Sequence, residues 1–390
     1  MMKTLNVAII GTKFMGKAHS NAWLNSPRFF DMGIKPVMKL ACGQNEEELK
    51  AFAETWGWEE TETDWKKVIE NDDIDIVDIS VPTYLHHEMA VAAAKAGKHI
   101  FCEKPFALTT AEAKEMYEEA EKAGIVHYLN HNYRRAPAVR LAKKLIEEDF
   151  VGRIFHWRGA YLQDWIVDPE FPLTWHLRAD RAGAGPHYDL NSHSVDLARY
   201  LVGEINSISA LTTTFIKERP LPGAGAATFS AGSGEATEMG EVTVDDASFM
   251  LAEFENGAIG SFEASRFAPG RKNFNYFEIY GSKGSIVFNL ERMNELQLFQ
   301  RDDPAFAQGF RTILATEAGE HDYIANWWPP GHMIGYEHEF HHGVVDFMEA
   351  IEKGTKIEPS FYDGLREIEI LEAGLQSSAK GEKVDTTPSK

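Results

Sequence analysis

The sequence predicts an α/β protein in which an N-terminal Rossmann domain precedes a second domain built on an antiparallel or mixed sheet. Short apolar strands alternate with helical segments over the first 130 residues, and a glycine turn joins the first strand to the first helix. From residue 131 the pattern changes to strands separated by tight turns. Strands alternating with helices of about 10–15 residues are typical of right-handed βαβ units and a parallel sheet. We therefore place a dinucleotide-binding domain at 1–130 and a second domain at 131–390.

The composition excludes several classes of protein. A net charge of −21 repels phosphate backbones, so we expect no nucleic-acid partner. The chain has only 2 cysteines, Cys42 and Cys102, each at the end of an apolar run, which indicates reduced core thiols in a cytoplasmic protein. We expect neither a secretory leader nor a membrane span, because no apolar run approaches the necessary length.

The elements of the first domain follow one another in regular order. Strands are predicted at 5–10, 37–42, 74–81, 100–102 and 125–129. A helix is predicted after Gly16, and further helices at 46–56, 86–96 and 110–123. This order is typical of the doubly wound sheet that binds dinucleotides.

The elements of the second domain begin with a helix predicted at 137–148. Strands follow at 153–162, 207–216, 247–254, 258–266, 274–280 and 285–288, and closing helices at 337–353 and 364–378. Asn256-Gly257 between two of these strands predicts a hairpin. Residues 220–240 are rich in Gly, Ala, Ser and Thr, which indicates either a surface loop that acts as a lid or a disordered insertion.

The glycine turn at 11–16 is a candidate cofactor site. Gly11 permits the tight turn, Gly16 permits close helix–strand packing, and the helix N-terminus would receive a pyrophosphate, with Phe14 and Met15 in the same turn. Lys13 replaces the middle glycine of the usual motif, which hinders backbone approach but supplies a cation for phosphate. Taken alone, the motif is equally compatible with a plain βα turn.

The residues after the second strand bear on the choice of cofactor. An acidic residue there usually binds the ribose hydroxyls of NAD. This chain has Gly43, Gln44 and Asn45 instead, with neither an acid nor an arginine. Gln44 or Asn45 would bond the ribose, whereas Lys13 would tolerate a 2′-phosphate. We expect NAD, with NADP as the alternative.

Glu103, Lys104 and Pro105 directly follow a buried strand. Ligands of open α/β sheets bind outside the carboxyl ends of the strands, so Glu103 and Lys104 are expected to emerge into that crevice. The alternative is that Lys104 is an ordinary solvated lysine. A second candidate pair, Asp189 and His193, is four residues apart on a predicted helix, a spacing that on its own is more typical of an ordinary helix pair than of a catalytic one.

Several stretches together resemble the glucose–fructose oxidoreductase/inositol dehydrogenase (Gfo/Idh/MocA) family of NAD(P)-dependent sugar and polyol dehydrogenases. They are the turn at 11–16, 81–86, 96–105 with its Glu-Lys-Pro tripeptide, 132–137, 161–165 and 184–193. Residues 330–338 resemble the subgroup of levoglucosan dehydrogenase and related glycoside-oxidising enzymes. The resemblance implies an α/β second domain with a large open, mostly antiparallel sheet, which often serves as an interface in a homo-oligomer.

The resemblance also implies roles for individual residues. Lys104 would polarise the reacting hydroxyl, His193 would accept its proton, and Asp189 would orient the substrate and the histidine. These groups would meet at the nicotinamide. Glu103 and His86 would lie near the cofactor. For His86 the alternative is a structural role in capping a helix. The further predicted cofactor contacts are Ser80, Pro82 and Asn132.

Side chains suited to a carbohydrate complete the predicted substrate site. Asp164 and Trp165 combine a carboxylate with an aromatic face, which suits the polar rim and apolar C–H face of a sugar. Tyr133, Arg134 and His332 are candidates for contacts with hydroxyl groups, although each is as compatible with an ordinary structural role.

The expected function is oxidation of a secondary hydroxyl of a sugar, polyol or glycoside, with C3 of a levoglucosan-like sugar favoured. The first alternative is an NAD-dependent glycoside hydrolase that oxidises its substrate transiently. A second alternative is a nucleotide-binding regulator without catalysis, against which Lys104, Asp189 and His193 together argue. We expect no metal, because the i,i+4 pairs Asp189/His193 and His338/His342 lack further ligands.

Overall fold

The computed structural model describes residues 3–222, 238–319 and 322–388. Packing divides the chain into two compact units, which are Met1–Ala136 with Tyr323–Leu365, and Pro137–Asp322 with Arg366–Lys390. The sequence instead predicted two continuous domains separated at residue 130. The difference arises because the segment 323–365 contributes large apolar side chains to the core of the first unit, namely Tyr323, Trp327, Ile334, Phe340, Val344, Phe347 and Met348.

The first part of the chain forms a six-stranded parallel sheet with intervening helices. Its strands are β1 (Lys3–Ile10), β2 (Ile34–Cys42), β3 (Glu60–Glu62), β4 (Ile76–Ile79), β5 (His99–Cys102) and β6 (His127–Leu129). Its helices are α1 (Phe14–Phe29), α2 (Glu46–Trp56), α3 (Trp65–Glu70), α4 (His86–Lys95) and α5 (Thr110–Ala123). The strand order β3-β2-β1-β4-β5-β6 is that of a Rossmann sheet, as predicted.

Local sequence signals account for the helix ends in this unit. Asn45 caps α2 by accepting from the Glu47 and Glu48 amides, and Gly57 ends it in a left-handed conformation. Thr109 and Gly124 do the same for α5. The sequence missed β3 and α3, because a strand of three polar residues and a six-residue helix carry too little hydrophobic periodicity.

The second part of the chain begins with α6 (Pro137–Glu147) and contains three short helices, α7 (Ala179–Ala182), α8 (Pro186–Asp189) and α9 (Asn191–Leu201). Its strands are β7 (Ile154–Leu162), β8 (Ile205–Thr213), β9 (Glu218–Pro220), β10 (Met239–Glu241), β11 (Ala247–Phe254), β12 (Ile259–Ser265), β13 (Phe274–Gly281), β14 (Gly284–Asn289), β15 (Glu295–Gln300) and β16 (Arg311–Leu314). The chain ends with α10 (Tyr336–Lys353), α11 (Phe361–Lys380) and β17 (Val384–Asp385).

A nine-stranded sheet dominates the second unit, in the order β16-β15-β14-β13-β7-β12-β11-β8-β17. β7 and β12 pair in parallel, and the other neighbours are antiparallel. The predicted hairpin at Asn256-Gly257 joins β11 to β12. Helix α9 packs on β7 and β12, which fixes the helix that carries His193 to the middle of the sheet. This architecture confirms the predicted mostly antiparallel sheet.

The segment 220–240 was predicted to be a lid or an insertion. Its residues 223–237 lie outside the described residues, and its two ends form the antiparallel pair β9 and β10. Among the helices that the structure describes, none is long and apolar enough to cross a membrane.

Candidate active site

The turn between β1 and α1 leaves room for a phosphate group. Gly11 has a φ of +115°, and a Cβ atom there would lie 2.2 Å from the Ser80 carbonyl oxygen. A Cβ on Gly16 would lie 2.2 Å from the Gly11 carbonyl oxygen. No side chain caps α1 and its first turn, where Phe14 and Met15 lie, holds no acidic residue. Only glycine fits at both positions, and the helix N-terminus therefore fits the pyrophosphate of a dinucleotide.

The end of β2 presents polar and acidic side chains. Lys13 is 75% exposed and pairs with Glu48 on α2. The Asn45 side chain is occupied in capping α2, whereas Gln44 is exposed. The first turn of α2 carries Glu46, Glu47 and Glu48, whose charges would repel a 2′-phosphate bound near the end of β2.

Lys104 follows the fully buried end of β5 and is itself partly exposed. The backbone N–H of Lys104 donates to the side chain of Glu103, with 3.2 Å between the Lys104 nitrogen and Glu103 Oε2. Glu103 is buried, and its side chain bonds to His19 and Asn130. The Glu103 carboxylate therefore holds the backbone of the partly exposed Lys104.

A buried network of charged groups lies behind Lys104. His19 on α1 places Nε2 2.9 Å from Glu103 Oε1 and Nδ1 2.9 Å from Asp78 Oδ1. Burial, the largest single effect, lowers the pKa of His19, but the charges and hydrogen bonds of Asp78 and Glu103 outweigh it and raise the pKa to about 10. Burial likewise raises the pKa of Glu103, but bonds to His19 and Asn130 and the Lys104 charge lower it overall. Sequence reasoning missed this network, which joins residues 59 and 84 positions apart.

The other predicted cofactor residues line the same edge of the sheet. The Ser80 hydroxyl donates to Asp78 Oδ1 over 2.7 Å, and Pro82 precedes the turn Thr83–Leu85. The buried ring of His86 places its nitrogens 2.8 Å from the Val81 carbonyl oxygen and 3.0 Å from the Pro105 carbonyl oxygen. His86 therefore fastens the backbone that flanks Lys104.

Asn132 and Tyr133 occupy a short helical turn that packs on α10. The Asn132 amide donates to Glu339 Oε2 over 2.7 Å, and the buried Tyr133 ring meets Tyr336 edge-on. Burial raises the pKa of Glu339 well above its ordinary value, even though the Asn132 bond opposes it. Burial therefore favours the neutral form of the Glu339 carboxyl group.

Of the remaining candidates in this unit, one lies on the surface and two are buried. His332 is exposed, with Nδ1 2.8 Å from the Pro329 carbonyl oxygen. Arg134 is buried and donates to Asp363 over 3.1 Å, a structural contact. His342 accepts from the Trp327 indole N–H over 2.7 Å. Within the three described stretches of chain, no three His, Cys, Asp or Glu side chains converge as metal ligands.

Asp189 and His193 lie on two consecutive helices rather than on the single helix predicted. Asp189 ends α8 and His193 follows in α9, with Leu190 between the helices in a near-helical conformation (φ −100°, ψ −46°). Asp245 fixes the start of α8, because its carboxylate accepts from the Gly185 amide at 2.7 Å and the His187 amide at 2.9 Å. Pro186 sits at the first helical position, where its missing N–H costs nothing.

Arg266 is a site residue that the sequence did not reveal. It is 1% exposed, directly follows β12, and donates from Nη2 to Asp189 Oδ2 over 2.6 Å. Its guanidinium lies 5.1 Å from the centre of the Trp165 ring. The Arg266 cation therefore links the predicted sugar-binding aromatic group to the predicted catalytic carboxylate.

A chain of side-chain contacts connects His193 to Trp165 and thus to Arg266 and Asp189. His193 is buried and meets the Tyr161 ring edge-on at 5.7 Å. The Tyr161 hydroxyl donates to Asn273 Oδ1 over 2.6 Å, and the same oxygen accepts from Gln163 over 3.0 Å. Gln163 in turn accepts from the Trp165 indole N–H over 2.8 Å. The chain of contacts from His193 to Asp189 fixes both side chains.

Asp164 directly precedes Trp165 in the chain and has hydrogen-bond partners of its own. Its carboxylate accepts from Lys272 Nζ over 2.8 Å and from the Gly270 amide over 3.0 Å. The Lys272 bond, the largest effect, and the Gly270 bond lower the pKa of Asp164. Asp164 therefore remains a charged group next to Trp165.

Comparisons with known proteins agree with these features. Residues 5–131 match the model of an oxidoreductase family with an NAD-binding Rossmann fold, and residues 139–287 match the GFO/IDH/MocA C-terminal domain. The chain is 46% identical over 386 residues to levoglucosan dehydrogenase of Pseudarthrobacter phenanthrenivorans, covering 98% of each protein.

Two solved structures are similar over nearly the whole chain. An oxidoreductase domain protein of Kribbella flavida superposes with a TM-score of 0.93 at 46% identity, covering 99% of this chain and 100% of that one. A levoglucosan dehydrogenase in complex with NADH and levoglucosan superposes with a TM-score of 0.92 at 44% identity, again covering 99% and 100%. The predicted fold, oxidoreductase class and NAD cofactor are confirmed, and the chain belongs to the Gfo/Idh/MocA family of NAD-binding oxidoreductases.

Proposed function

We propose that the protein oxidises a secondary hydroxyl of an anhydrosugar or related glycoside with NAD⁺, and that C3 of levoglucosan is the first substrate position to test. The observation that carries the proposal is 46% identity to levoglucosan dehydrogenase over nearly the full length of both chains. The family resemblance implies that Lys104, Asp189 and His193 are the catalytic residues.

In this proposal each catalytic side chain has one task. Lys104 stabilises the negative charge that develops on the reacting oxygen, since a sugar hydroxyl is too basic to ionise freely at neutral pH. His193 takes the hydroxyl proton, because imidazole is the side chain best suited to accept it near pH 7. Bound NAD⁺ supplies the hydride acceptor. Asp189, held by Arg266, orients the substrate hydroxyl and the histidine.

The Trp165 ring and its neighbours suit a rigid sugar. The Trp165 ring is held in place because its indole N–H donates to Gln163 and the Arg266 cation lies over the ring. The C–H face of a sugar packs on such a ring, while its hydroxyls bond to nearby charged groups. We propose Trp165 and Asp164 as substrate contacts, with Tyr133 and His332 as further contacts.

NAD is proposed as the preferred cofactor over NADP. The acidic first turn of α2 disfavours a 2′-phosphate, and the only cation of the glycine turn, Lys13, is paired with Glu48. Gln44 is left to bond the ribose hydroxyls.

A homo-oligomer that uses the open face of the large sheet is proposed as the assembly. Leu211, Phe249, Leu251 and Ile259 lie on one face of β8, β11 and β12 and are exposed. A groove of about 360 Å³ runs along the same face. A contiguous apolar patch of this kind is typical of an interaction surface.

The buried thiols of Cys42 and Cys102 suit a reducing cytoplasm, which is the proposed location.

The test is to mix the protein with levoglucosan and related sugars, with NAD⁺ or NADP⁺, and to follow the absorbance of the reduced nicotinamide. We expect stoichiometric growth with NAD⁺ and a loss of about 10²–10⁴-fold in kcat for Lys104→Ala. Lys114→Ala, which removes an exposed lysine of α5, is the matched control and should keep full activity. Aglycone release without net reduction would instead establish the hydrolase, and full activity of Lys104→Ala would refute the assignment.

A further inference from the structure

A buried histidine on α1 bridges two carboxylates behind Lys104. His19 is 1% exposed, Asp78 on β4 is fully buried and Glu103 lies at the end of β5. The two His19 ring nitrogens face different carboxylates, with Nδ1 2.9 Å from Asp78 and Nε2 2.9 Å from Glu103. A neutral imidazole carries one N–H, so only the doubly protonated ring can donate to both.

Each carboxylate is held by further donors. Asp78 also accepts from the Trp23 indole N–H over 2.6 Å and from the Ser80 hydroxyl over 2.7 Å. Glu103 Oε1 also accepts from the Asn130 amide over 2.6 Å. Charge-assisted hydrogen bonds of this length are strong and directional, so the three charged side chains have a single arrangement.

The second oxygen of the Glu103 carboxylate bonds to the backbone that follows β5. Glu103 Oε2 accepts the backbone N–H of Lys104, so the position of the Glu103 side chain sets the position of the Lys104 backbone. The buried charges of Asp78, His19 and Glu103 sum to one net negative charge, which the ammonium group of Lys104 balances. Burial has the largest effect on the pKa values of the nearby titratable groups His86, Cys102 and Tyr336, lowering that of His86 and raising the other two, and the negative charge of Glu103 acts to raise all three.

We propose that His19 is a positioning residue, a permanent imidazolium that locks Glu103 against the backbone of Lys104 and so directs the lysine amine at the substrate. The proposal rests on the proposed function in that Lys104 is the group that acts on the hydroxyl. Removing the imidazolium would leave two buried carboxylates facing each other, which forces one of them to move or take up a proton. Misplacement of a catalytic group by about 1 Å costs about 10²-fold in rate.

The first experiment measures the protonation state of His19 directly. In protein labelled with ¹⁵N-histidine, the His19 ring signals, assigned by their loss in His19→Gln, are expected to report two protonated nitrogens up to about pH 9. An ordinary histidine loses its proton near pH 6.5. Loss of the His19 proton near that value would overturn the proposal. This reading does not depend on turnover, so it stands apart from any failure of the proposed function.

The second experiment measures the kinetic consequence. We expect His19→Gln to lower kcat about 10–100-fold while the affinity for NADH, measured by its fluorescence, is retained. His127→Gln is the matched control, because His127 is also a buried histidine beside a carboxylate, Glu121, but does not contact the bridge. Equal losses of kcat in the two variants, or loss of NADH binding together with kcat, would show a merely structural role. If the wild-type protein oxidises no sugar while His19 remains doubly protonated, the proposed function is wrong. The proposed permanent charge of His19 still holds in that case.

Discussion

Arg266 Nη2 lies 2.6 Å from Asp189 Oδ2, and the guanidinium is 1% exposed. A buried cation on the strand side thus meets a carboxylate at the end of α8. Because the cation is removed from water, its attraction for Asp189 is stronger than that of a surface pair. Asp189 is therefore a fixed anion whose position depends on a residue 77 positions away in the chain.

Substitution of Arg266 should impair catalysis. Arg266→Met removes a charged hydrogen-bond donor from Asp189, and such bonds contribute about 1.5–3 kcal/mol, so kcat/KM is expected to fall about 10–100-fold. Arg266→Lys should recover only part of the loss, since an ammonium group does not reproduce the planar fork beside Trp165. Arg271→Met removes an exposed arginine of the following loop and should leave steady-state kinetics unchanged. Wild-type kcat/KM in Arg266→Met would contradict this role.

Cofactor preference should respond to the ion pair in the glycine turn. Glu48→Gln releases Lys13 and removes one of the three acids at the start of α2. We expect the KM for NADP⁺ to fall severalfold while the KM for NAD⁺ changes little. Glu54→Gln, at an exposed position later in α2, is the control. An unchanged ratio of the two KM values in Glu48→Gln would rule out this account of the preference.

The buried carboxyl group of Glu339 should reduce stability at neutral pH. Its pKa is raised in the folded protein, so the folded state binds the proton more tightly and loses stability as the pH rises above the unfolded value near 4.5. Glu339→Gln removes this loss and should raise the free energy of unfolding at pH 7 by about 1 kcal/mol or more, with little effect at pH 4. Denaturant unfolding at both pH values is the measurement, with Glu349→Gln on the exposed side of α10 as control. A lower stability of Glu339→Gln at pH 7 would mean that the group is ionised.

The raised pKa of His19 predicts a loss of stability in alkali. The folded-state pKa of about 10 exceeds the unfolded value near 6.5, so the contribution of His19 is complete below pH 6.5 and disappears as the pH rises through about 10. The difference in melting temperature between the wild-type protein and His19→Gln should therefore shrink steadily between pH 7 and pH 10. A difference that stays constant over this range would show that His19 does not titrate there.

Much of the fold could be predicted because the signals are local. The boundaries of α2 and α5 follow from capping residues and helix periodicity, and the hairpin at Asn256-Gly257 follows from its turn residues. Segments without a local signal were missed. β3 is too short and polar to stand out, and the return of 323–365 to the first unit depends on apolar side chains that meet only in the folded chain.

The same distinction applies to the site. Lys104 was predicted from its place at the end of a buried strand, and Asp189 and His193 from their spacing together with the family resemblance. Arg266, Asn273 and His19 were not found, because each acts through partners far away in the sequence, and nothing in their immediate neighbours indicates those partners. The prediction that Lys104 and His193 act on one hydroxyl stays a prediction.

The most direct test of hydride transfer uses levoglucosan deuterated at C3. The protein is incubated with this sugar and NAD⁺, and the reduced cofactor and the sugar product are analysed by mass spectrometry. One deuterium is expected in the reduced nicotinamide for each ketosugar formed. Reduced nicotinamide that carries no deuterium, or conversion of the sugar with no reduced nicotinamide at all, would contradict it.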